Sequence, residues 1–259
     1  PDDGGGRYSP QPGRFLFLMD AFAPPMMPMA QLPLVNISDL MTQSGVAFGT
    51  SGARGPVAAM TDAVCFAYTA AFLQHMASVG EFAPGTQVAL AGDLRPSTPR
   101  ILAACAAAIQ AQGGVPLFCG YVPSPALALH AFSLKIPSLM VTGSHIPDDR
   151  NGIKFNRVAG EVLKPDEAGM KAQQVALPEG MFDASGALLN PQVLPAVVDV
   201  TGAYVQRYVR FFGDSALGSM RIGVYQHSAV GRDLLVTLLQ ALGAEVLVLG
   251  RSAAFIPVD

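Results

Sequence analysis

The sequence has few charged residues and no long apolar run, and each of these absences narrows the class of protein. Asp, Glu, Lys and Arg make up 14% of the 259 residues, and hydrophobic residues make up 51%. No stretch of about 18 consecutive apolar residues occurs, so we expect no membrane span. The net charge of −3, without a basic cluster, argues against a nucleic-acid-binding surface.

Cysteine is also scarce. The three cysteines, Cys65, Cys105 and Cys119, are odd in number and lack the close spacing of a metal site. The first two fall in helix-like patterns and the third near the end of a strand-like one. We therefore interpret them as reduced core thiols of a cytoplasmic protein.

Residues 1–40 differ in composition from the rest of the chain. They are rich in Pro, Gly and Met and show no sustained hydrophobic period. Arg14 and the apolar residues 15–19 resemble a signal peptide, but Asp20 interrupts the apolar run too early. We interpret residues 1–40 as a disordered or foreign leader, with a natural start near Met27 or Met29 as one explanation.

The central part of the chain alternates between strand and helix patterns. Apolar spacing predicts strands over 87–91, 115–119 and 138–142, and helices over 61–79, 98–113 and 125–134. This alternation is typical of an α/β fold, a mixed sheet with crossover helices. Two short strands, 152–155 and 160–163, follow as a hairpin-like arm, and a helix opens at Lys164.

The last third predicts a second α/β domain. A polar region, 178–196, is typical of an inter-domain linker, and a helix is expected over 198–212. A strand (220–226), a helix (231–242) and a strand (245–249) then form one β-α-β unit. We expect a first domain over 41–185 and an incomplete second domain over 190–259, because one such unit cannot bury both faces of its sheet.

Two glycine-containing loops carry candidate anion-binding residues. In "FGTSGARG" (48–55), glycines let the backbone approach a ligand, and Thr50, Ser51 and Arg54 offer donors, although the loop also fits an ordinary polar turn. In "GDLRPSTPR" (92–100), Arg95 is a candidate substrate contact at the carboxyl end of a strand. For these two residues we favour the alternative, a structural ion pair between Asp93 and Arg95 that fixes the loop.

The stretch "SLMVTGSHIPDDRNGIKF" (138–155) concentrates the reactive groups of the chain. Ser144 follows a strand on a turn that Gly143 permits, with His145 beside it and Lys154 ten residues later. One interpretation is a serine nucleophile with a histidine base, although adjacent residues rarely meet in good geometry and no G-x-S-x-G motif occurs. Another is a serine that carries a phosphoryl group, and a third is a plain polar loop.

A fourth loop, "YQHSAVGRDLL" (225–235), again joins a strand to a helix. His227 and Ser228 lie at the strand's carboxyl end, and the following helix N-terminus suits an anion. We favour a plain strand–helix connection here.

Together these loops resemble those of the α-D-phosphohexomutase family, the phosphomannomutases and phosphoglucomutases. "FGTSGARG" is similar to F-G-T-S-G-x-R-G, "GDLRPSTP" to G-x-D-x-R-x-S, and "VTGSHIPDDRNGIKF" to the phosphoserine loop T-A-S-H-N-P…N-G-x-K. The motifs occur in the family's order, and the resemblance covers about residues 45–259. It implies domain I of a four-domain α/β enzyme and the front of domain II.

The resemblance implies a role for each matching residue. Ser144 would be the phosphoserine that gives a phosphoryl group to a hexose phosphate and takes one back through a bisphosphorylated sugar. His145 and Lys154 would border the reacting hydroxyl, with Lys154 a candidate for proton transfer, and Arg54 would hold charge near the phosphate. The phosphate on Ser144 would also help to bind Mg²⁺.

Two departures from the family pattern stand out. Gly143 and Ile146 replace the usual Ala and Asn of the phosphoserine loop, and the glycine is expected to be a mild change. The magnesium-binding motif D-G-D-G-D-R does not occur in this sequence. We therefore expect the chain alone to be inactive, and keep two competing hypotheses: a non-catalytic sugar-phosphate-binding fragment and a serine hydrolase. The preferred sugar phosphate, that of mannose, glucose or glucosamine, and the oligomeric state stay open.

Overall fold

The computed structural model describes Pro1, residues 34–49 and residues 52–256. The strands are β1 (Leu34–Asn36), β2 (Ala47–Phe48), β3 (Gly52–Pro56), β4 (Gln87–Gly92), β5 (Val115–Tyr121), β6 (Ser138–Val141), β7 (Arg150–Arg157), β8 (Gly160–Glu161), β9 (Gln174–Ala176), β10 (Arg221–His227) and β11 (Glu245–Arg251). The helices are α1 (Ile37–Ser44), α2 (Asp62–Ser78), α3 (Thr98–Ala111), α4 (Ser124–Leu134), α5 (Lys164–Lys171), α6 (Thr201–Phe212) and α7 (Arg232–Ala241).

A seven-stranded mixed sheet is the centre of the fold. Its order is β2-β3-β7-β6-β4-β5, with β8 paired to β7. The pairs β4–β5 and β4–β6 are parallel, whereas β7 runs antiparallel to both of its main neighbours, β3 and β6. This arrangement confirms the expected α/β class with a mixed sheet and crossover helices.

Helices cover both faces of the sheet, and the side chains of β4 are accordingly apolar on both faces. Val88 and Leu90 point into the core that α2 and α3 form, and Ala89 and Ala91 point into the core beside α4. Alternate residues of a strand face opposite ways, so one strand serves both cores. The carboxyl ends of β4 and β6 emerge between these layers, which is where the chemical loops begin.

Most central elements lie where the sequence predicts them, and the differences have local causes. Thr61 caps α2 as expected, since its side-chain oxygen accepts a hydrogen bond from the N–H of Val64 at 3.3 Å. In the hairpin-like arm, β7 is longer than the predicted strand 152–155, and β8 is shorter than the predicted strand 160–163. Helix α6 begins at Thr201 instead of Val198. Strands β1, β2, β3 and β9 were not predicted: β2 has only two residues, and β1, β3 and β9 depend on partners distant in sequence.

The expected leader overlaps the folded part of the chain. Strand β1 pairs antiparallel with β9, and the Asn36 side chain accepts a hydrogen bond from the N–H of Asp39 at the start of α1. Residues 34–40 therefore belong to regular elements, a correction of the expected boundary at residue 41. Residues 2–33 lie outside the described residues.

The three cysteines are buried and free, in α2, α3 and β5. Burial raises the pKa of the Cys105 thiol to about 12 and that of Cys119 to about 11. The thiols therefore stay protonated near neutral pH, as core residues without a nucleophilic role do. No helix of the described part of the chain is long and apolar enough to cross a bilayer.

Candidate active site

Asp93 joins the loop after β4 to the loop after β6. Its Oδ1 accepts hydrogen bonds from the Arg95 N–H at 3.1 Å and the Thr98 hydroxyl at 2.7 Å. Its Oδ2 accepts from the Thr142 hydroxyl at 2.8 Å and the Gly143 N–H at 3.2 Å. Because both oxygens are engaged and the residue is buried, Asp93 fixes the start of the Ser144 loop relative to the sheet.

Arg95 lies beneath the loop that connects β6 to β7, and it is only 1% exposed. Its Nε is 3.3 Å from Oδ2 of Asp93, which is the structural ion pair considered above. Its two terminal nitrogens donate to four backbone carbonyls, those of Pro147 (2.7 Å), Arg150 (3.1 Å), Ser144 (3.4 Å) and Ile146 (2.5 Å). The side chain thus supports the loop from below, and a contact of Arg95 with substrate stays a prediction.

Ser144 occupies the turn that follows β6, with its side chain exposed. Its φ of 57° lies in the left-handed region, which costs a non-glycine residue about 1–3 kcal/mol. The surrounding loop offsets this cost, since the Ser144 N–H donates to the Thr142 hydroxyl at 2.9 Å. The result is a serine hydroxyl presented to solvent on a backbone that is anchored at several points.

His145 contacts Ser144 directly. The Ser144 Oγ and the His145 Nδ1 are 3.3 Å apart, closer than we expected for adjacent residues. In hydrolases the base is held in turn by a third group. Among the described residues no carboxylate or carbonyl accepts a hydrogen bond from the His145 ring, so the contact is a pair and not a triad.

Lys154 and Arg54 come together through strand pairing. In the antiparallel pair β3–β7, Gly52 lies opposite Lys154 and Arg54 lies opposite Gly152. Both cations are half-buried, and both line a small pocket together with Thr142. Within the described part of the chain neither side chain has an ion-pair partner, so positive charge gathers beside the Ser144 loop.

Thr50 and Ser51, the other predicted binding residues of the first loop, lie outside the described residues. Their neighbours are described, since Gly49 lies in the same small pocket as Arg54 and Lys154. A role for the two hydroxyls therefore stays a prediction.

A cleft of about 850 Å³ brings together three of the seven predicted site residues. Its lining includes Ser144, His145 and Lys154 from the first α/β unit. It also includes His227 and Ser228 from the loop between β10 and α7. The space is large enough for a hexose bisphosphate, since small-molecule sites commonly span about 300–1,000 Å³.

The fourth loop (225–235), which we expected to be a plain strand–helix connection, lines the cleft with His227 and Ser228. His227 has a φ of 51°, and the Ser228 side chain is buried by contact with the backbone of Ile256. The sequence signal was present in the strand end and the helix N-terminus that follows it. The sequence could not show that this loop borders the same cleft as Ser144.

Thr142 and Asn151 are site residues that the sequence analysis did not single out. Asn151 is fully buried, and its amide donates to the hydroxyls of Ser97 at 2.9 Å and Thr98 at 3.2 Å. It therefore ties the start of β7 to the start of α3. The N-G pair before Lys154 was a usable signal for a close backbone approach, because a Cβ on Gly152 would lie 2.9 Å from the carbonyl oxygen of Ala53.

The described residues do not by themselves fit a magnesium site. They contain no group of three or more His, Cys, Asp or Glu that could hold a metal ion. Asp93 is the acidic residue of the cleft lining, and both of its oxygens already accept hydrogen bonds. Mg²⁺ takes about six oxygen ligands, which a single exposed serine does not supply.

Comparison with known families agrees with this geometry. Residues 45–175 match the family model described as phosphoglucomutase/phosphomannomutase, alpha/beta/alpha domain I. That segment holds the sheet from β3 to β8 and the loops of Arg54, Asp93 and Ser144. The chain belongs to the phosphoglucomutase/phosphomannomutase family, as the sequence resemblance implied.

Individual relatives show the same likeness. The chain is 42% identical over 228 residues to a phosphomannomutase of Salmonella muenchen, covering 87% of this chain and 45% of the relative. It is 32% identical over 208 residues to a phosphoglucosamine mutase of Symbiobacterium thermophilum, covering 78% of this chain and 45% of that one. The chain thus spans less than half the length of these curated relatives.

A solved structure gives the same picture at the level of the fold. A phosphoglucomutase/phosphomannomutase family protein from Burkholderia thailandensis superposes with a TM-score of 0.59 at 25% identity. The match covers 78% of this chain and 43% of that chain. The likeness extends beyond the first α/β unit, because it covers more residues than the family model does.

Proposed function

We propose that this chain carries the phosphoserine of a phosphohexomutase, which interconverts hexose 1-phosphates and hexose 6-phosphates of mannose, glucose or both. The observation that carries the proposal is Ser144, an exposed hydroxyl on an anchored left-handed turn that opens onto the cleft. Two unpaired cations of the described residues, Arg54 and Lys154, lie beside the same loop. Phosphoryl transfer depends mainly on such positioning and charge neutralisation.

In the proposed cycle the phosphoryl group on Ser144 moves to the free hydroxyl of a hexose monophosphate. The sugar hydroxyl loses its proton, for which Lys154 in its neutral amine form is the candidate acceptor, and the ammonium that results gives the proton to the Ser144 oxygen as that oxygen leaves the phosphorus. The resulting hexose bisphosphate turns around, and its other phosphoryl group returns to Ser144. Arg54 would offset the negative charge of the phosphate throughout.

Thr50 and Ser51 are proposed to bind the sugar phosphate, with Arg95 as a further candidate. Mg²⁺ is the expected cofactor of the complete site, where the Ser144 phosphate would supply an oxygen ligand. Because the described residues add no acidic cluster, further ligands would have to come from elsewhere. A cytoplasmic location and the absence of nucleic-acid and membrane partners are part of the same proposal.

The 3.3 Å contact between Ser144 and His145 favours one competing function, a serine hydrolase. A non-catalytic sugar-phosphate-binding fragment is the other alternative. The experiment treats the chain in parallel with a hexose 1,6-bisphosphate and with a fluorophosphonate probe, and then maps Ser144 by mass spectrometry. Ser228→Ala is a matched control, since Ser228 also lines the cleft.

Our proposal predicts a phosphate on Ser144 after the bisphosphate treatment, in the parent chain and in Ser228→Ala but not in Ser144→Ala. It predicts no fluorophosphonate adduct. A fluorophosphonate adduct at Ser144 would instead establish the hydrolase. An unmodified serine in both treatments would favour the binding fragment.

A further inference from the structure

The guanidinium of Arg95 holds the Ser144 loop by hydrogen bonds to its backbone carbonyls. Three carbonyls of the eight-residue connection 142–149, and that of Arg150 at the start of β7, converge on its two terminal nitrogens, at 2.5–3.4 Å. Hydrogen bonds from a charged donor are stronger than neutral ones, and a buried guanidinium without partners is costly. The loop and the side chain therefore fix each other.

Gly143 makes this arrangement possible for a steric reason. Its φ is not in the left-handed region, so its backbone conformation does not demand glycine. A Cβ at this position would instead overlap the guanidinium of Arg95, at 2.7 Å from Nη2 and closer still to Cζ and Nε. Since Arg95 is 1% exposed and held on several sides, it could give way only by losing its hydrogen bonds.

This steric contact gives the glycine at position 143 more importance than the sequence suggested. Gly143 stands where the resembling family usually has Ala, and the replacement was expected to be mild. In this structure the alanine methyl group and the observed pose of Arg95 exclude each other. Asp93 strengthens the coupling, because its Oδ2 accepts from both the Gly143 N–H and the Arg95 Nε.

We propose that Arg95 is a positioning residue for Ser144, and that its position under the loop depends on glycine at 143. As a statement about phosphoryl transfer this inference rests on the proposed function; as a statement about the loop it does not. Arg95 contacts the carbonyl of Ser144 and not its hydroxyl, so it acts through the backbone. Residues 143 and 95 are therefore a matched pair that specifies this form of the loop.

The test is a double-mutant cycle read by amide hydrogen exchange over residues 144–150, in the full chain without sugar. Gly143→Ala and Arg95→Met should each raise exchange there by about tenfold or more, the effect of losing a charged hydrogen bond. The double variant should exchange no faster than Arg95→Met alone, because the removed guanidinium leaves room for the methyl group. Exchange in α2 should stay unchanged.

Two controls match these substitutions. Gly160→Ala adds a methyl group into open space, and Arg150→Met removes the exposed arginine side chain at the start of β7, next to the loop. Both should leave exchange over 144–150 unchanged. If Arg95→Met does not fold, Arg95→Lys completes the cycle, since lysine keeps the charge but lacks the planar fork.

A second readout separates positioning from general stability. At an unchanged unfolding midpoint, Gly143→Ala should slow phosphorylation of Ser144 by a hexose bisphosphate about tenfold or more, as misplaced groups do. An unchanged loop exchange in Gly143→Ala, or effects that multiply independently in the double variant, would overturn the inference. Coupled exchange without any phosphate on Ser144 would leave the inference intact and refute only the proposed function.

Discussion

At the scale of single residues, one glycine of the first motif, Gly52, allows a close approach of the protein's own backbone. From the sequence we expected the glycines of this motif to let the chain approach a ligand. In the structure, Gly52 lies opposite Lys154, and a Cβ there would be 2.7 Å from the Cα of Lys154 and 2.8 Å from the carbonyl carbon of Ile153. The glycine therefore allows β3 to pair with β7, which brings Arg54 beside Lys154.

Gly52→Ala should consequently destabilise the fold by about 2–3 kcal/mol, because the methyl group meets backbone atoms that cannot rotate away. The measurement is the free energy of unfolding in urea. Gly160→Ala, at a position without neighbours, should change it by less than about 0.5 kcal/mol. Equal stability of the two variants would show that β3 does not need the close approach.

The sequence predicted those site residues that can be recognised by residue type and order. It did not predict those whose role depends on burial and on contacts between distant segments. Ser144, His145 and Lys154 were recognised by residue type and order, and they line one cleft. The ion pair of Arg95 with Asp93 was expected and is present, whereas the burial of its guanidinium beneath the Ser144 loop was not predicted, because it depends on a loop distant in sequence. The close approach of Gly143 to the Arg95 guanidinium depends on that burial, so it could not be predicted from the sequence either.

At the scale of elements, a buried charge network fastens α5 to the rest of the first unit. Asp166 of α5 contacts His75 of α2 and Arg157 of β7, each at 3.1 Å, and Arg157 also bonds to Glu81. Burial alone would raise the pKa of the Asp166 carboxyl. The hydrogen bonds from the Leu163 N–H and from His75, with the charge of Arg157, nevertheless lower it below the ordinary value of 3.8.

A lowered pKa means that the folded state holds the carboxylate more strongly than the unfolded chain does. The stabilisation from Asp166 is therefore fully present above pH 3.8 and is lost as the pH falls through the folded-state pKa. Asp166→Asn should lose less stability than the parent chain in that acid range. Urea unfolding from neutral to acid pH measures the difference.

Asp214→Asn is the control for this experiment, because Asp214 is exposed and makes no side-chain hydrogen bond among the described residues. Its stability should follow the parent chain at every pH. Identical acid profiles for the parent and Asp166→Asn would contradict the role of the network.

The elements themselves were predictable to the extent that their pattern is local. Helix α2 has a cap at Thr61 and apolar spacing, and β4 is an apolar run, so both were placed within a residue or two. Strand β3, with the sequence GARGP, has low strand propensity and exists through pairing with β2 and β7. A single-sequence pattern does not contain that long-range information.

At the scale of the whole molecule, the cleft is lined by loops that follow β4 and β6 and by the loop between β10 and α7, so the site depends on segments that are distant in sequence. The described residues supply the serine and the cations but no acidic cluster. The sequence also lacks the aspartate motif that the family resemblance led us to seek. Carrying a phosphate on Ser144 and catalysing turnover are therefore separate abilities, and we expect only the first of this chain.

This chain alone is accordingly expected to show little mutase activity. A coupled assay with glucose 1-phosphate or mannose 1-phosphate in the presence of Mg²⁺ should give turnover well below about 1 s⁻¹, the low end for ordinary enzymes. Phosphorylation of Ser144 is expected in the same preparation. Turnover at the rate of ordinary mutases would show that this chain does not need the aspartate motif for activity.

The central claim is that Ser144 carries phosphate, and phosphopeptide mapping of the protein as purified from cells tests it most directly. The account predicts a phosphorylated peptide that contains Ser144, absent in Ser144→Ala and removed by phosphatase treatment. Refilling with a hexose 1,6-bisphosphate should restore it. A Ser144 that is unmodified on purification and stays unmodified after the bisphosphate would contradict the account.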